Sequence, residues 1–144
     1  LNIKKLIDFN NHCKKKKKYF YLANYPKIAI KFSLNGVYIP SFNKKINLIT
    51  GKPRNFLVLG SAHNLPQIRV KEKQGAECIF LAPLFLTKKS DNFLNICNFK
   101  ILSNQTNKKV IALGGLKKNN IGRIKLLNIH GYASISLFKK NMSI

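Results

Sequence analysis

Short apolar runs alternate along this chain with segments whose apolar residues recur every three or four positions. The runs are Tyr19–Ala23, Val37–Ile39, Phe56–Gly60, Cys78–Leu81, Val110–Gly115 and Gly131–Ser136. Runs this brief, rich in β-branched and aromatic residues, predict strands. Between them, Ile3, Leu6, Ile7, Phe9 and Cys13 predict a helix over 2–16. Pro26 opens a second helix reaching about Leu34, and Gly36 ends it. Ile46, Leu48 and Ile49 allow one poor helix before Gly51 and Pro53. A helix over 65–74, capped by Asn64 or Ser61, stops at Gly75. Asp91–Ser103 carries Phe93, Leu94, Ile96, Phe99 and Ile101, and Leu116–Asn128 carries Ile121, Ile124, Leu126 and Leu127, so both read as helices. Leu137 onward is a short closing helix or tail.

Six strands alternating with helices predict parallel strands joined by right-handed crossovers. Either an open doubly wound sheet or a β/α barrel satisfies that pattern. Polar residues follow every strand: Asn24, Ser41 and Asn43, Ser61 and His63, Thr87 and Lys89, Gly114 and Gly115, and Ser136. Ligands bind at the carboxyl ends of strands in both closures. A contribution from every strand to one rim favours the barrel.

Gly114-Gly115 ends the fifth strand. A glycine pair lets the backbone turn sharply and approach a ligand closely. Amides there, and at helices starting near Leu116 and Leu137, would face an anion such as phosphate. A tight turn with no ligand is the competing reading. A side chain at Gly115 is expected to block a phosphate while the fold survives.

A chain of 144 residues with 45% hydrophobic residues fits one folded domain. No apolar run reaches the roughly 18 residues of a membrane span, and no signal peptide is visible. Cys13, Cys78 and Cys97 lack paired spacing, which suggests a reducing cytoplasm without disulfides or a zinc site. Net charge is +23, with 27 Lys+Arg against four Asp+Glu. A nucleic-acid partner would suit such a charge. Yet arginine stands only at 54, 69 and 123, and Lys, Asn and Ile are together abundant, as AT-rich codons produce. Specific nucleic-acid sites lean on arginine forks and aromatic stacking, so a nucleic-acid partner is not expected. The run Lys14–Lys18 reads as a solvated helix end. The chain begins with Leu1, which suggests a fragment or an alternative start.

In order along the chain stand Gly60-Ser61-Ala62-His63-Asn64, Gly75-Ala76-Glu77, Ala82-Pro83-Leu84-Phe85-Leu86-Thr87-Lys88, Ile111-Ala112-Leu113-Gly114-Gly115 and Gly131-Tyr132-Ala133-Ser134-Ile135-Ser136. From about Phe20 to Phe138 this series resembles the thiamine phosphate synthase/TenI family. The resemblance implies a (β/α)8 TIM-type barrel, here incomplete, with six units corresponding to the third to eighth strands and the first strands missing. It implies a single barrel domain over 1–144, and a small-molecule substrate, a thiazole phosphate. It further implies phosphate binding by Gly114, Gly115 and Ser136, and substrate binding by Asn24, Ser61, Thr87 and Lys89. Leu86 stands where the family has proline, and the family's lysine register falls on Lys89 or Ser90. The family's two magnesium-binding carboxylates correspond to the neutral Asn24 and Asn43. Since Mg²⁺ requires charged oxygen ligands, it is expected as a cofactor only if synthase activity is retained. The resemblance implies a thiamine-biosynthesis enzyme with two alternative reactions. One couples a pyrimidine diphosphate to the thiazole phosphate. The other, of the TenI type, moves a proton on the thiazole, with His63 as the catalytic residue; imidazole titrates near neutrality and suits that task. The competing reading is that His63 only caps the following helix or packs at the rim. A catalytically degenerate phosphate-binding barrel and a basic nucleic-acid-binding protein remain the other readings. A homo-oligomer would cover the strand edges that a six-stranded barrel leaves open.

Overall fold

The computed structural model describes residues 1–88 and 91–137. Helix α1 spans Ile3–Lys15, β1 Tyr21–Ala23, α2 Pro26–Lys31, β2 Gly36–Ile39, β3 Leu57–Ala62 and α3 Leu65–Lys73. Strand β4 spans Cys78–Leu81, α4 Asn95–Ser103 and β5 Lys109–Leu113. A 3₁₀ helix over Ile121–Leu126 leads to β6, Gly131–Ala133. All neighbouring strands pair in parallel, in the sequential order β1-β2-β3-β4-β5-β6. Sequential order never reverses direction across the sheet. Right-handed crossovers then place every connection on one face, the arrangement of a barrel wall and not of a doubly wound sheet.

The two sheet faces differ as that arrangement requires. Leu22, Val37, Ile39, Val58, Ile79, Leu81, Val110 and Ala112 are buried beneath the helices. They join Ala29, Ile68 and Phe99 in one core. Their strand neighbours Tyr38, Leu59, Phe80, Ile111 and Leu113 are half-buried on the opposite face. Tyr38 and Phe80 meet there edge to face, with ring centroids 5.8 Å apart.

Three segments depart from the sequence reading. Residues 40–56 form no helix: Asn47 and Gly51 adopt positive φ and Pro53 follows, while Leu48 and Ile49 still pack on the core. Helix α4 starts at Asn95, not Asp91, because the Asn95 side chain accepts from Asn98 N. The amides of Leu94 and Asn95 are already bound to the carbonyls of Pro83 and Leu84. Residues 116–128 hold no α-helix. Ile121, Ile124 and Leu127 recur every third residue, the 3₁₀ repeat, and Leu126 points away, 64% exposed. Lys117, Lys118, Arg123 and Lys125 repel one another in a segment without an acid, and Gly122 weakens helix further. Strands β5 and β6 end at Leu113 and Ala133, so Gly114-Gly115 and Ser134–Ser136 are loop. The closing helix expected beyond Leu137 lies outside the described residues.

Candidate active site

Every strand delivers its polar residues to the same edge of the sheet, and hydrogen bonds sort them into three groups. The first follows β1 and β2. Asn43 Nδ2 donates to Asn24 Oδ1 at 2.9 Å. Asn24 holds the left-handed conformation at φ 65°, which asparagine tolerates better than most residues. These are two neutral amides bonded to each other, so the pair does not fit Mg²⁺, which requires hard, charged oxygen ligands. Among the described residues no three His, Cys, Asp or Glu side chains gather as a metal-binding group.

The second group centres on His63, just beyond β3. Its Nδ1 lies 2.6 Å from the carbonyl oxygen of Ala82. A carbonyl only accepts, so Nδ1 carries the hydrogen. In the neutral ring Nε2 is therefore the acceptor, and it lies 3.1 Å from Ser41 Oγ. The ring is fixed in a defined tautomer with its basic nitrogen toward the rim. Helix capping falls to the next residue: Asn64 Oδ1 accepts from Gln67 N at 3.0 Å, while Gln67 Oε1 accepts from His63 N. Capping leaves the imidazole free for other work. His63, Ala82, Pro83, Asn92, Phe93 and Leu94 line a cavity of about 360 Å³.

The third group lies after β4, β5 and β6. A cavity of about 350 Å³ is lined by Leu86, Thr87, Lys88, Gly115, Lys117 and Ser136. It joins Thr87, Gly115 and Ser136, three of the residues singled out from the sequence. Lys117 went unnoticed there, because within an all-lysine background no lysine stands out. Asn120 shapes the turn: its side chain donates to Gly115 O and accepts from Lys117 N, both at 2.8 Å. The Ser136 and Ser134 hydroxyls donate to Leu116 O at 2.9 and 3.1 Å. Without an α-helix at Leu116, no helix terminus there aids anion binding. The positive side chains of Lys88 and Lys117 supply the charge at this cavity.

The glycine pair has an architectural reason as well. Gly114 and Gly115 adopt φ 93° and 69°. A Cβ on Gly115 would stand 2.4 Å from Phe85 O and 2.6 Å from Leu86 O. One on Gly114 would stand 2.7 Å from Pro83 Cβ. A side chain at Gly115 would therefore press on the Phe85 and Leu86 carbonyls as well as on any ligand in the cavity. Ser61 is buried within β3, beside Phe80 in register, and lines neither cavity. Lys89 lies outside the described residues. His12 and His130 are exposed, His12 on α1 and His130 just before β6, at the end of that strand opposite the rim.

Glu72 and Glu77 serve the frame and not the rim. Glu77 pairs with Lys52 and accepts from Val58 N at 2.6 Å. Glu72 pairs with Arg69 and accepts from Thr106 Oγ1; burial alone would raise its carboxyl, but these partners and Lys108 hold it below its usual value. Burial pushes the Cys78 thiol up, against a smaller pull from Lys109, which keeps it from acting as a thiolate.

A family model described as thiamine monophosphate synthase matches residues 3–138. The chain belongs to that family. Among named relatives, it is 31% identical over 113 residues to the "putative thiamine-phosphate synthase 2" of Aquifex aeolicus, covering 77% of this chain and 61% of the relative. It is 29% identical over 139 residues to a thiamine-phosphate synthase of Prochlorococcus marinus, covering 94% of this chain and 39% of the relative. The chain thus spans about half the length of the curated relatives it matches. The solved structure of a thiamine phosphate pyrophosphorylase from Pyrococcus furiosus superposes with a TM-score of 0.76 at 17% identity, over 94% of this chain and 68% of that one. The fold is therefore the TIM-barrel-like fold of this family, here as an open sheet of six parallel strands. No helix among the described residues is long and apolar enough to cross a membrane.

Proposed function

We propose that this chain acts in thiamine biosynthesis on a thiazole phosphate, and that its reaction is the TenI-type proton shift on the thiazole ring. The observation that carries the reading is the cavity joining Thr87, Lys88, Gly115, Lys117 and Ser136 at the carboxyl ends of β4 to β6. Two cations and the Thr87 hydroxyl around a glycine turn suit a phosphate monoester, and the Ser136 hydroxyl joins them by turning from Leu116 O. His63 stands at the end of β3, two strands from Gly115, or roughly 10 Å at the usual strand spacing. That span suits a phosphate in one cavity and a small ring near the imidazole. Nε2 of His63, released by Ser41 as substrate arrives, takes the ring proton and returns it at another position. The Ala82 carbonyl steadies the ring while it is protonated.

The coupling reaction has support in the names of the relatives and in Thr87 and Lys88. It must stabilise a departing diphosphate. The Asn24–Asn43 pair supplies no carboxylate for a metal that would do so. The proton shift needs none, which favours it. Gly114 supports the turn, and Lys89 is a further proposed substrate contact, whereas Ser61 is buried and lines neither cavity. The proposed setting is the cytoplasm, with a small molecule as partner and no nucleic acid.

The test is to incubate the chain with a thiazole carboxylate phosphate and follow the tautomers by NMR, then add a pyrimidine diphosphate. The reading expects conversion of tautomers that is lost in His63→Gln, and no coupled product. Coupled product with the parent chain would replace it by the synthase reading. Binding without either conversion would make the chain a degenerate phosphate-binding barrel.

A further inference from the structure

The segment 40–56 has no regular structure, yet it carries Ser41 and Asn43 to the rim. What holds it is a lysine in the core. Lys71, on α3, is fully buried. Its Nζ donates to Pro40 O at 2.7 Å, Asn43 O at 2.8 Å and Gln74 Oε1 at 2.8 Å. Gln74, one residue past α3, donates from Nε2 to Asn43 O at 2.9 Å and Lys45 O at 2.8 Å. All three N–H bonds of the ammonium end on neutral oxygens. No carboxylate pairs with it among the described residues.

A buried cation without a counter-charge is costly, and an apolar side chain fills such a space at less expense. The cation is explained by what it binds. Carbonyls of an irregular loop have no strand or helix partner, and a buried unsatisfied carbonyl is unfavourable. One ammonium and one amide meet three of them. The β3 strand makes room for the lysine stem, since a Cβ on Gly60 would come 2.8 Å from Lys71 Cδ. Gly60 thus answers a packing demand from Lys71, two residues before the rim.

We propose that Lys71 is a positioning residue: with Gln74 it clamps the 40–45 loop and so sets Ser41 against His63 and Asn43 against Asn24. Two short chains of contacts carry the effect. One runs from Nζ through Pro40 O to Ser41 Oγ and His63 Nε2. The other runs through Asn43, whose carbonyl is held by Lys71 and whose side chain reaches Asn24.

This inference deepens the reading of the rim as the site, and its test needs no ligand, so its failure is distinct from a failure to bind thiazole phosphate. Lys71→Met and Gln74→Leu are prepared in the full chain, with hydrogen exchange followed over residues 41–48. The His63 imidazole resonances are followed by NMR, assigned with His63→Gln, and His12 and His130 serve as internal controls. The expected result is exchange over 41–48 faster by roughly tenfold, a displaced His63 signal and unmoved His12 and His130 signals. Gln74→Leu keeps the buried cation, so it decides the matter if Lys71→Met does not fold. A folded Gln74→Leu with unchanged exchange and an unchanged His63 signal overturns the proposal. Failure of both variants to fold also overturns it, because a clamp on one loop is not a condition of folding.

Discussion

The two halves of the rim are built in opposite ways. On the β1 to β3 side, side chains are bonded to one another: Asn24 to Asn43, Ser41 to His63, and the intervening loop to Lys71 and Gln74. On the β4 to β6 side, a cavity of similar volume is bounded by a glycine turn, hydroxyls and two lysines. A group that must present one nitrogen in one orientation benefits from the first design, since misplacement is expensive in rate. An anion with several equivalent oxygens is served by the second, where charge and access matter more than a single geometry. Under the proposed function, this contrast would separate proton transfer from phosphate capture along one edge of one sheet.

Removing the imidazole is the sharpest way to break that division. His63→Gln should lower the tautomerisation rate by about 10²–10⁴-fold, with little change in phosphate affinity by calorimetry. A large loss of affinity would mean that the two halves are one binding surface. Next in size is Gly115→Val. Its Cβ meets two backbone oxygens and the φ of 69° disfavours a branched side chain. A cost of about 1–3 kcal/mol in stability, read from thermal melts, should accompany a fall in thiazole phosphate affinity. A variant as stable as the parent would show that the 85–87 backbone yields freely. Lys88→Ala and Lys117→Ala should each weaken the phosphorylated ligand by roughly two- to fivefold, the modest scale of exposed charges. That loss should shrink as salt is raised.

A separate effect comes from pH. Burial pulls the Lys71 ammonium down to about 8 from 10.5. Between those values the unfolded chain holds the proton that the folded chain has released. This group therefore makes folding more favourable as pH rises from about 8 toward 10.5, and less so as pH falls through that window. Denaturant melts across the window should show the rise in the parent and lose it in Lys71→Met; an equal rise in both would assign it to other lysines.

Strand order and the polar rim were legible because each apolar run is short, bounded by glycine or proline, and followed by a polar residue. The 3₁₀ helix at Ile121 was not, since spacings of three fit either helix until the like charges and Gly122 are weighed. The clamp was hidden for a different reason. Lys71 follows Ile68 by three residues on the buried stripe of α3, where an apolar residue is expected. In a chain with 27 basic residues one more lysine carries no signal by itself. Its interruption of that stripe, opposite Gly60, was the available clue. Ser61 read as a rim residue from its motif, but the strand runs on to Ala62 and leaves it buried.

The proposed division of labour rests on the β4 to β6 cavity taking a phosphate. Titration calorimetry with a thiazole phosphate and the same thiazole lacking its phosphate tests that directly. The account predicts measurable binding of the phosphorylated compound, at least roughly tenfold tighter than its counterpart, and weakened by Gly115→Val. Equal binding of the two compounds would contradict it and leave the Gly114-Gly115 turn as architecture alone.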